Sequence, residues 1–270
     1  MEEFLHLLQT EIEKPGVFSL FHLIALIPII AGAILLPYFL KDTSEKVYKR
    51  VLFFSWITLI ILEIFKQLVK SFQYGDPSYW KYSTRDFPFS LCSMIHYFLP
   101  IVIFFDRKKF PKIVDTAIGY LCLISLAAGV VVCIYSDLAV SKYIYVSIQT
   151  FIHHGSQVIL GIFIYVWNRR NVTIKTFYRS MIAFVITAIV AIIINVLVSS
   201  FTSDFINMFF INPMIITNLP IGNVVQEKAG YPVFLIGYLS LIALVSYLTY
   251  LIETSIYKVL LKRNAKKAKA

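Results

Sequence analysis

Seven times along its length this chain returns to an apolar run of roughly 17 to 25 residues. At about 1.5 Å of rise per residue, that is the length at which a helix crosses the hydrocarbon core of a bilayer. The runs fall near 18–40, 51–72, 88–105, 113–135, 143–166, 177–201 and 231–257. Backbone polar groups have no water to bond in hydrocarbon, so spans of this kind must be helices rather than open strands. The fold class read from this is all-α, a polytopic membrane helix bundle of about seven transmembrane helices. Composition agrees, because 270 residues that are 59% hydrophobic and only 15% charged, with a mean hydropathy of +0.76, are too apolar for an ordinary soluble domain. The runs recur without a break in character, so residues 1–270 read as a single integral membrane domain. The first run begins near Val17, behind the acidic Glu2, Glu3, Glu11 and Glu13, with no basic leader or small-residue cleavage site, and reads as a retained helix.

A formal charge of +10 would suggest nucleic acid in a soluble protein. Here the cations sit in alternate short connections, which is a topology signal and not a nucleic-acid site. Lys41, Lys46, Lys49 and Arg50 lie between the first and second runs. Arg107, Lys108, Lys109 and Lys112 lie between the third and fourth, and Arg169, Arg170, Lys175 and Arg179 follow the fifth. A basic tail over 258–270 adds Lys258, Lys262, Arg263, Lys266, Lys267 and Lys269. These segments carry 18 of the 25 basic residues. The positive-inside rule then puts them in the cytoplasm and the amino end outside, in a multi-pass cell-membrane protein. The long connection 202–230 carries the apolar stretch INMFFINPMII, too short to span, which either re-enters the membrane or covers the outer face.

Ionisable groups inside a span cost roughly 2.5 to 3.5 kcal/mol on insertion scales, so each asks for a reason. In the second run Glu63, Lys66, Gln67 and Lys70 share one helical face. They either pair among themselves, with Lys70 reaching the surface, or line a functional cavity. In the third run Cys92 and His96 are one turn apart, the spacing at which an imidazole can activate a thiol nucleophile, although a lone membrane cysteine also serves as a small apolar filler. In the fifth, Gln149, His153 and Gln157 form one stripe while His154 points about 100° away. By depth, His22, Glu63, Lys66, Cys92, His96, His154 and Asn195 all fall between the midplane and the outer boundary, and the cytoplasmic half reads as almost purely apolar. The expectation is a polar cavity opening outward or toward the outer leaflet. Helix starts put His154 about 16 Å deep and Cys92 about 6 Å, a mismatch that leaves open whether the two meet.

The segment FPFSLCSMIHYFLP resembles the YwaF-type bacterial integral membrane proteins, whose hallmark reads close to Leu-Pro-Leu-His-Leu-Cys at the start of the third helix. Pro88, Leu91 and Cys92 match it. FSLFH in the first run, the Glu63 to Lys66 stretch, His154-Gly155, Asn195 and Gly230-Tyr231-Pro232 match in part. That family is similar to a eukaryotic multispanning, cysteine-dependent phospholipid acyltransferase that moves an acyl chain from a phospholipid to a lysophospholipid. The resemblance implies Cys92 as the acyl-accepting nucleophile and His154 as its base. It departs at Ser90, where the pattern has His; His96 would then take that role. Lys66 or Asn195 could serve an oxyanion, and Glu63, Lys66, Asn195 and His22 are the expected substrate-binding set for a membrane phospholipid or lysophospholipid.

Two other classes of function fit the residues. One is a transporter or proton-coupled carrier using Glu63, Lys66 and His154, and the other a non-enzymatic receptor or assembly module. No phosphate-cradling loop, HExxH, GxSxG elbow or dinucleotide fingerprint occurs, so neither cofactor nor metal is expected.

Overall fold

The computed structural model describes residues 2–137, 139–202 and 205–267, with side chains through 259. The basic side chains expected in the tail at Lys262, Arg263, Lys266, Lys267 and Lys269 lie outside the described ones. Among the described residues ten helices carry about two thirds of the chain: α1 (Glu2–Leu8), α2 (Leu20–Leu40), α3 (Glu45–Ser71), α4 (Ile95–Phe104), α5 (Pro111–Gly119), α6 (Leu126–Ile134), α7 (Ile144–Asn168), α8 (Ile174–Phe201), α9 (Gly222–Ala229) and α10 (Tyr231–Lys267). A π-helical stretch, Tyr120–Ser125, joins α5 to α6, so that 111–134 behaves as one rod. A 3₁₀ turn, Cys92–Met94, opens α4, and a small antiparallel hairpin pairs Phe72–Gln73 with Tyr79–Trp80.

Each of the seven apolar runs contains a helix, although in the third, 88–105, the residues before Cys92 are not helical. Among the described residues five helices, 20–40, 45–71, 111–134, 174–201 and 231–259, are long and apolar enough to cross a membrane. The other two fall short for different reasons. The third, from Cys92 to Phe104, is only thirteen residues long. α7 has the length, but Gln149, His153, His154 and Gln157 interrupt its apolar character. The helices also outrun the apolar segments: α3 starts at Glu45, where the Ser44 hydroxyl accepts the Val47 N–H, and α10 continues to Lys267. Hydropathy marks where lipid is, whereas backbone hydrogen bonding continues into water until a cap stops it.

α7 is the axis. It packs against α2, α3, α6 and the π-helical stretch, and most of its side chains are buried, so its polar residues face protein rather than lipid. Close approach to α6 is allowed by small residues: a Cβ at Gly129 would stand 2.7 Å from the Gln157 Cβ and 2.8 Å from the His154 carbonyl oxygen. The main core runs through α3, α4, the π-helical stretch, α7 and α8. Residues 205–221 cover it, with Ile206, Met208, Phe209 and Ile211 buried and Phe209 packed between Phe89 and Phe184.

Alternate connections gather at opposite ends. At one end the α2–α3, α4–α5 and α7–α8 links meet: Arg169 pairs with Asp42 at 3.0 Å, the Trp167 indole donates to the Thr43 carbonyl, Arg107 pairs with Asp115 at 2.6 Å and donates to Asn168 at 3.1 Å, and Asn168 donates to the buried Tyr48 hydroxyl. At the other end the amino-terminal segment ties to the end of α3 and to the α6–α7 link. There Gln9 donates to the Val69 and Phe72 carbonyls, Lys142 pairs with Glu11 at 2.5 Å and Lys14 with Asp137 at 3.2 Å. The first of these ends is the one rich in Lys and Arg.

Candidate functional site

The site is built where the short third helix begins. Residues 87–91 enter the bundle without helical structure, and the helix starts only at Cys92, not at 88. Ser90 helps to start it, its hydroxyl accepting the Ser93 N–H at 3.2 Å and lying 2.9 Å from the Ser93 hydroxyl. The Tyr97 hydroxyl donates back to the Pro88 carbonyl, closing the lead-in onto the first turn.

Cys92 is held from α7. Its carbonyl oxygen accepts from His153 Nε2 at 3.1 Å and from Gln157 Nε2 at 2.7 Å. Gln157 stands thirteen residues into α7, about 20 Å from its first residue. Cys92 therefore lies near mid-bundle and not one turn below the surface, which resolves the depth mismatch: the lead-in consumes the upper half of the bundle and the thirteen-residue helix fills the lower. The thiol is half-buried, free of disulfide, and its Sγ makes no hydrogen bond to any described group.

Three imidazoles cluster beside the Cys92 carbonyl, with His153 in the middle. The His96 and His153 rings lie 5.1 Å apart at 50°, and both His96 nitrogens are buried without a partner. With Nε2 donating, the neutral His153 ring keeps its lone pair on Nδ1, which is also buried and unpartnered. His154 stands edge-on to His153 at 5.0 Å, and its Nδ1 donates to the Thr150 carbonyl at 2.8 Å, leaving Nε2 as the lone-pair nitrogen. Gln157 Oε1 is a further unpartnered acceptor. Four polar atoms, two on His96 and one each on His153 and Gln157, are buried here without the partners that buried polar atoms normally find.

On the α3 side Lys66 pairs with Glu63 at 2.7 Å, and the Gln67 amide donates both to Glu63 Oε1 and to the Asp86 carbonyl, each at 2.6 Å. Lys70 pairs with Asp86. The Trp56 indole donates to the His96 carbonyl at 3.0 Å, fastening α3 to α4. Lys66 is close enough to act electrostatically on His96, His153 and His154, and Glu63 on His96. The face of α3 thus does both things its pattern allowed: the charges pair, and they border the imidazoles.

Two expected members stand elsewhere. His22 is fully buried with both nitrogens engaged, Nδ1 accepting the Phe18 N–H at 2.9 Å and Nε2 donating to the Cys133 carbonyl at 2.7 Å. It joins the start of α2 to the end of α6. Asn195 is buried on α8, donating to the Met208 carbonyl at 2.9 Å and accepting the Met208 N–H at 2.7 Å. It anchors the covering segment where Phe209 and Phe210 take positive φ. Neither has a polar atom left for a ligand.

Sequence reasoning set His154 above His153 and so passed over the two side chains that touch Cys92. The signal was present in the Gln149, His153, Gln157 stripe, whose spacing marks one buried face. It also read the inner half as apolar, missing the buried Glu253 on α10 and the Tyr48, Asn168, Arg107 and Asp115 network. Among the described residues no three His, Cys, Asp or Glu side chains converge as a metal site would require.

The family model described as the TMEM164 family covers residues 17–250. No curated protein and no solved structure matches the chain.

Proposed function

Because the chain belongs to the TMEM164 family of transmembrane proteins, we propose that it is a multi-pass membrane acyltransferase that moves an acyl chain between phospholipid and lysophospholipid through a thioester on Cys92. In this reading all seven apolar helices cross or enter the membrane, with the amino end outside and the Lys/Arg-rich end in the cytoplasm. The observation that carries it is a free cysteine at a helix start whose backbone carbonyl is bound by His153, with the His96 and His154 rings flanking His153 and each ring keeping at least one nitrogen free.

The steps balance without any added reagent. The Cys92 thiol yields its proton to an imidazole nitrogen, His153 Nδ1, His154 Nε2 or a nitrogen of His96, and Sγ attacks the ester carbonyl carbon of a phospholipid. The tetrahedral intermediate collapses, the C–O bond breaks, and the lysophospholipid leaves as an alcohol that takes the proton from the imidazolium. A second lysophospholipid then gives its hydroxyl proton to the same base, attacks the thioester and carries the acyl chain away, and Cys92 is restored as a thiol. Lys66 and the amino-terminal end of the third helix supply positive potential for the oxyanion. The reading requires the Cys92 side chain, whose Sγ makes no hydrogen bond to any described group, to turn toward a ring when substrate binds, as catalytic contacts commonly tighten in the complex. His153 and Gln157 fix the Cys92 backbone, and rigid placement of a nucleophile is worth as much as its activation.

Purified protein in lipid nanodiscs, given phospholipid radiolabelled in its acyl chain together with unlabelled lysophospholipid, tests this. The expected outcome is transferred label and a hydroxylamine-sensitive adduct on Cys92, both lost in Cys92→Ala. Wild-type protein that yields neither adduct nor transferred chain, with the fold intact, would sink the reading.

A further inference from the structure

A second group of buried polar atoms lies away from Cys92, near the far end of α10. Glu253 is 8% exposed, and neither of its carboxylate oxygens has a hydrogen-bond partner. No salt bridge engages it among the described residues. Ser246, Tyr250, Glu253 and Tyr257 stand at offsets of 0, 4, 7 and 11 and so share one face of α10. The Ser246 hydroxyl, on a residue 1% exposed, is likewise unpartnered. Across from this face the Tyr165 hydroxyl of α7 is buried without a partner, and Tyr165 lies within electrostatic reach of Glu253, Cys122, Tyr250 and Tyr257. Cys122 belongs to the π-helical stretch that α10 packs against, and Glu253 acts on it too. π-helical turns inside α-helices are frequent at functional sites.

This arrangement is incomplete as it stands. An ionisable group inside a membrane bundle is normally paired, and buried hydroxyls normally bond. Among the described residues, the titratable groups that share this interface with Glu253, Tyr165, Cys122, Tyr250 and Tyr257, contribute no positive charge. What would complete the set is a small positive charge that accepts oxygen donors, which is the chemistry of a proton or an alkali-metal ion and not of a softer metal.

We propose that Glu253, with the Tyr165 hydroxyl, forms an exchangeable small-cation site in the inner half of the bundle, separate from the Cys92 site. It is independent of the acyl-transfer reading, because its evidence lies in the α10 interface alone and its test does not use activity. The test is difference infrared spectroscopy of the full chain in nanodiscs, wild type against Glu253→Gln. Occupation by a proton gives a protonated-carboxyl stretch that Glu253→Gln abolishes, that shifts to lower frequency within minutes of transfer to D2O, and that is the same in sodium, potassium and choline chloride. Occupation by an alkali ion gives a carboxylate signal assigned by the same variant that changes when sodium or potassium replaces choline. Either result supports the site. A Glu253 signal that neither exchanges in D2O nor responds to the cation overturns it. Should Glu253→Gln fail to fold, Tyr165→Phe, which removes only a hydroxyl, shifts the wild-type band if the two groups share the site; an unmoved band overturns the proposal.

Discussion

At the scale of single residues, the decisive feature is that two side chains of α7 grip one backbone carbonyl. Gln157 makes the shorter of the two bonds to Cys92 O. Gln157→Leu keeps the bulk and removes that donor, so the turn bearing Cys92 is held by His153 alone. In the labelled-lipid assay we expect kcat to fall about ten- to a hundredfold with KM for lysophospholipid little changed, because sub-ångström misplacement of a nucleophile costs rate more than binding. An unaltered kcat would mean that the grip does not position the thiol. Asn195 makes the opposite prediction. Its amide satisfies both backbone groups of Met208, so Asn195→Leu strands two buried polar groups and costs about 2 kcal/mol of stability. Thermal unfolding in detergent should show that loss, with transfer activity per folded molecule retained. Both residues look alike in sequence, polar side chains in apolar helices. Hydropathy identifies such a residue as exceptional, but only the partner shows whether it serves packing or chemistry, and for His22 and Asn195 the partner is a backbone group distant in sequence.

At the scale of elements, helix existence was legible and helix depth was not. Seven apolar runs announce seven helices because the burial of backbone in lipid leaves no other structure. Where the third begins was obscured, since Phe87, Phe89 and Leu91 are as apolar as any helical residue while Pro88 and Ser90 favour an extended lead-in and a helix start. The unwound lead-in is what lowers Cys92 to the level of His153 and Gln157. The seam between α6 and α7 has an equally local cause. Gly129 lets α6 approach α7 so closely that even a methyl group would meet the Gln157 Cβ at 2.7 Å and the His154 carbonyl at 2.8 Å. Gly129→Ala should therefore push the helices apart and destabilise the bundle by about 1–3 kcal/mol, the usual cost of overpacking. Because the contact is with Gln157 itself, that variant should also lower transfer. Gly237→Ala is the control, for a Cβ there meets nothing within 4 Å. Equal behaviour of the two variants would show that the seam has room to give.

At the scale of the molecule, the distribution of charge and the geometry of the connections are separate observations that coincide. Charge alone assigned alternate loops to one side. The folded chain independently brings the α2–α3, α4–α5 and α7–α8 links into mutual contact through Asp42, Arg107, Asp115, Asn168 and Arg169. The amino-terminal segment meets the α6–α7 link at the other end through Glu11, Lys14, Asp137 and Lys142. The proposed orientation then makes a definite statement about two exposed positions. In intact cells, Glu13→Cys should react with a membrane-impermeant maleimide, and Lys109→Cys should react only after the membrane is opened, each measured against the background of the three native thiols. The reverse pattern would invert the molecule and place the Glu253 site beneath the outer surface. Labelling of both variants in intact cells would instead mean that these links do not lie on opposite sides, and the number of crossings would have to be even between them.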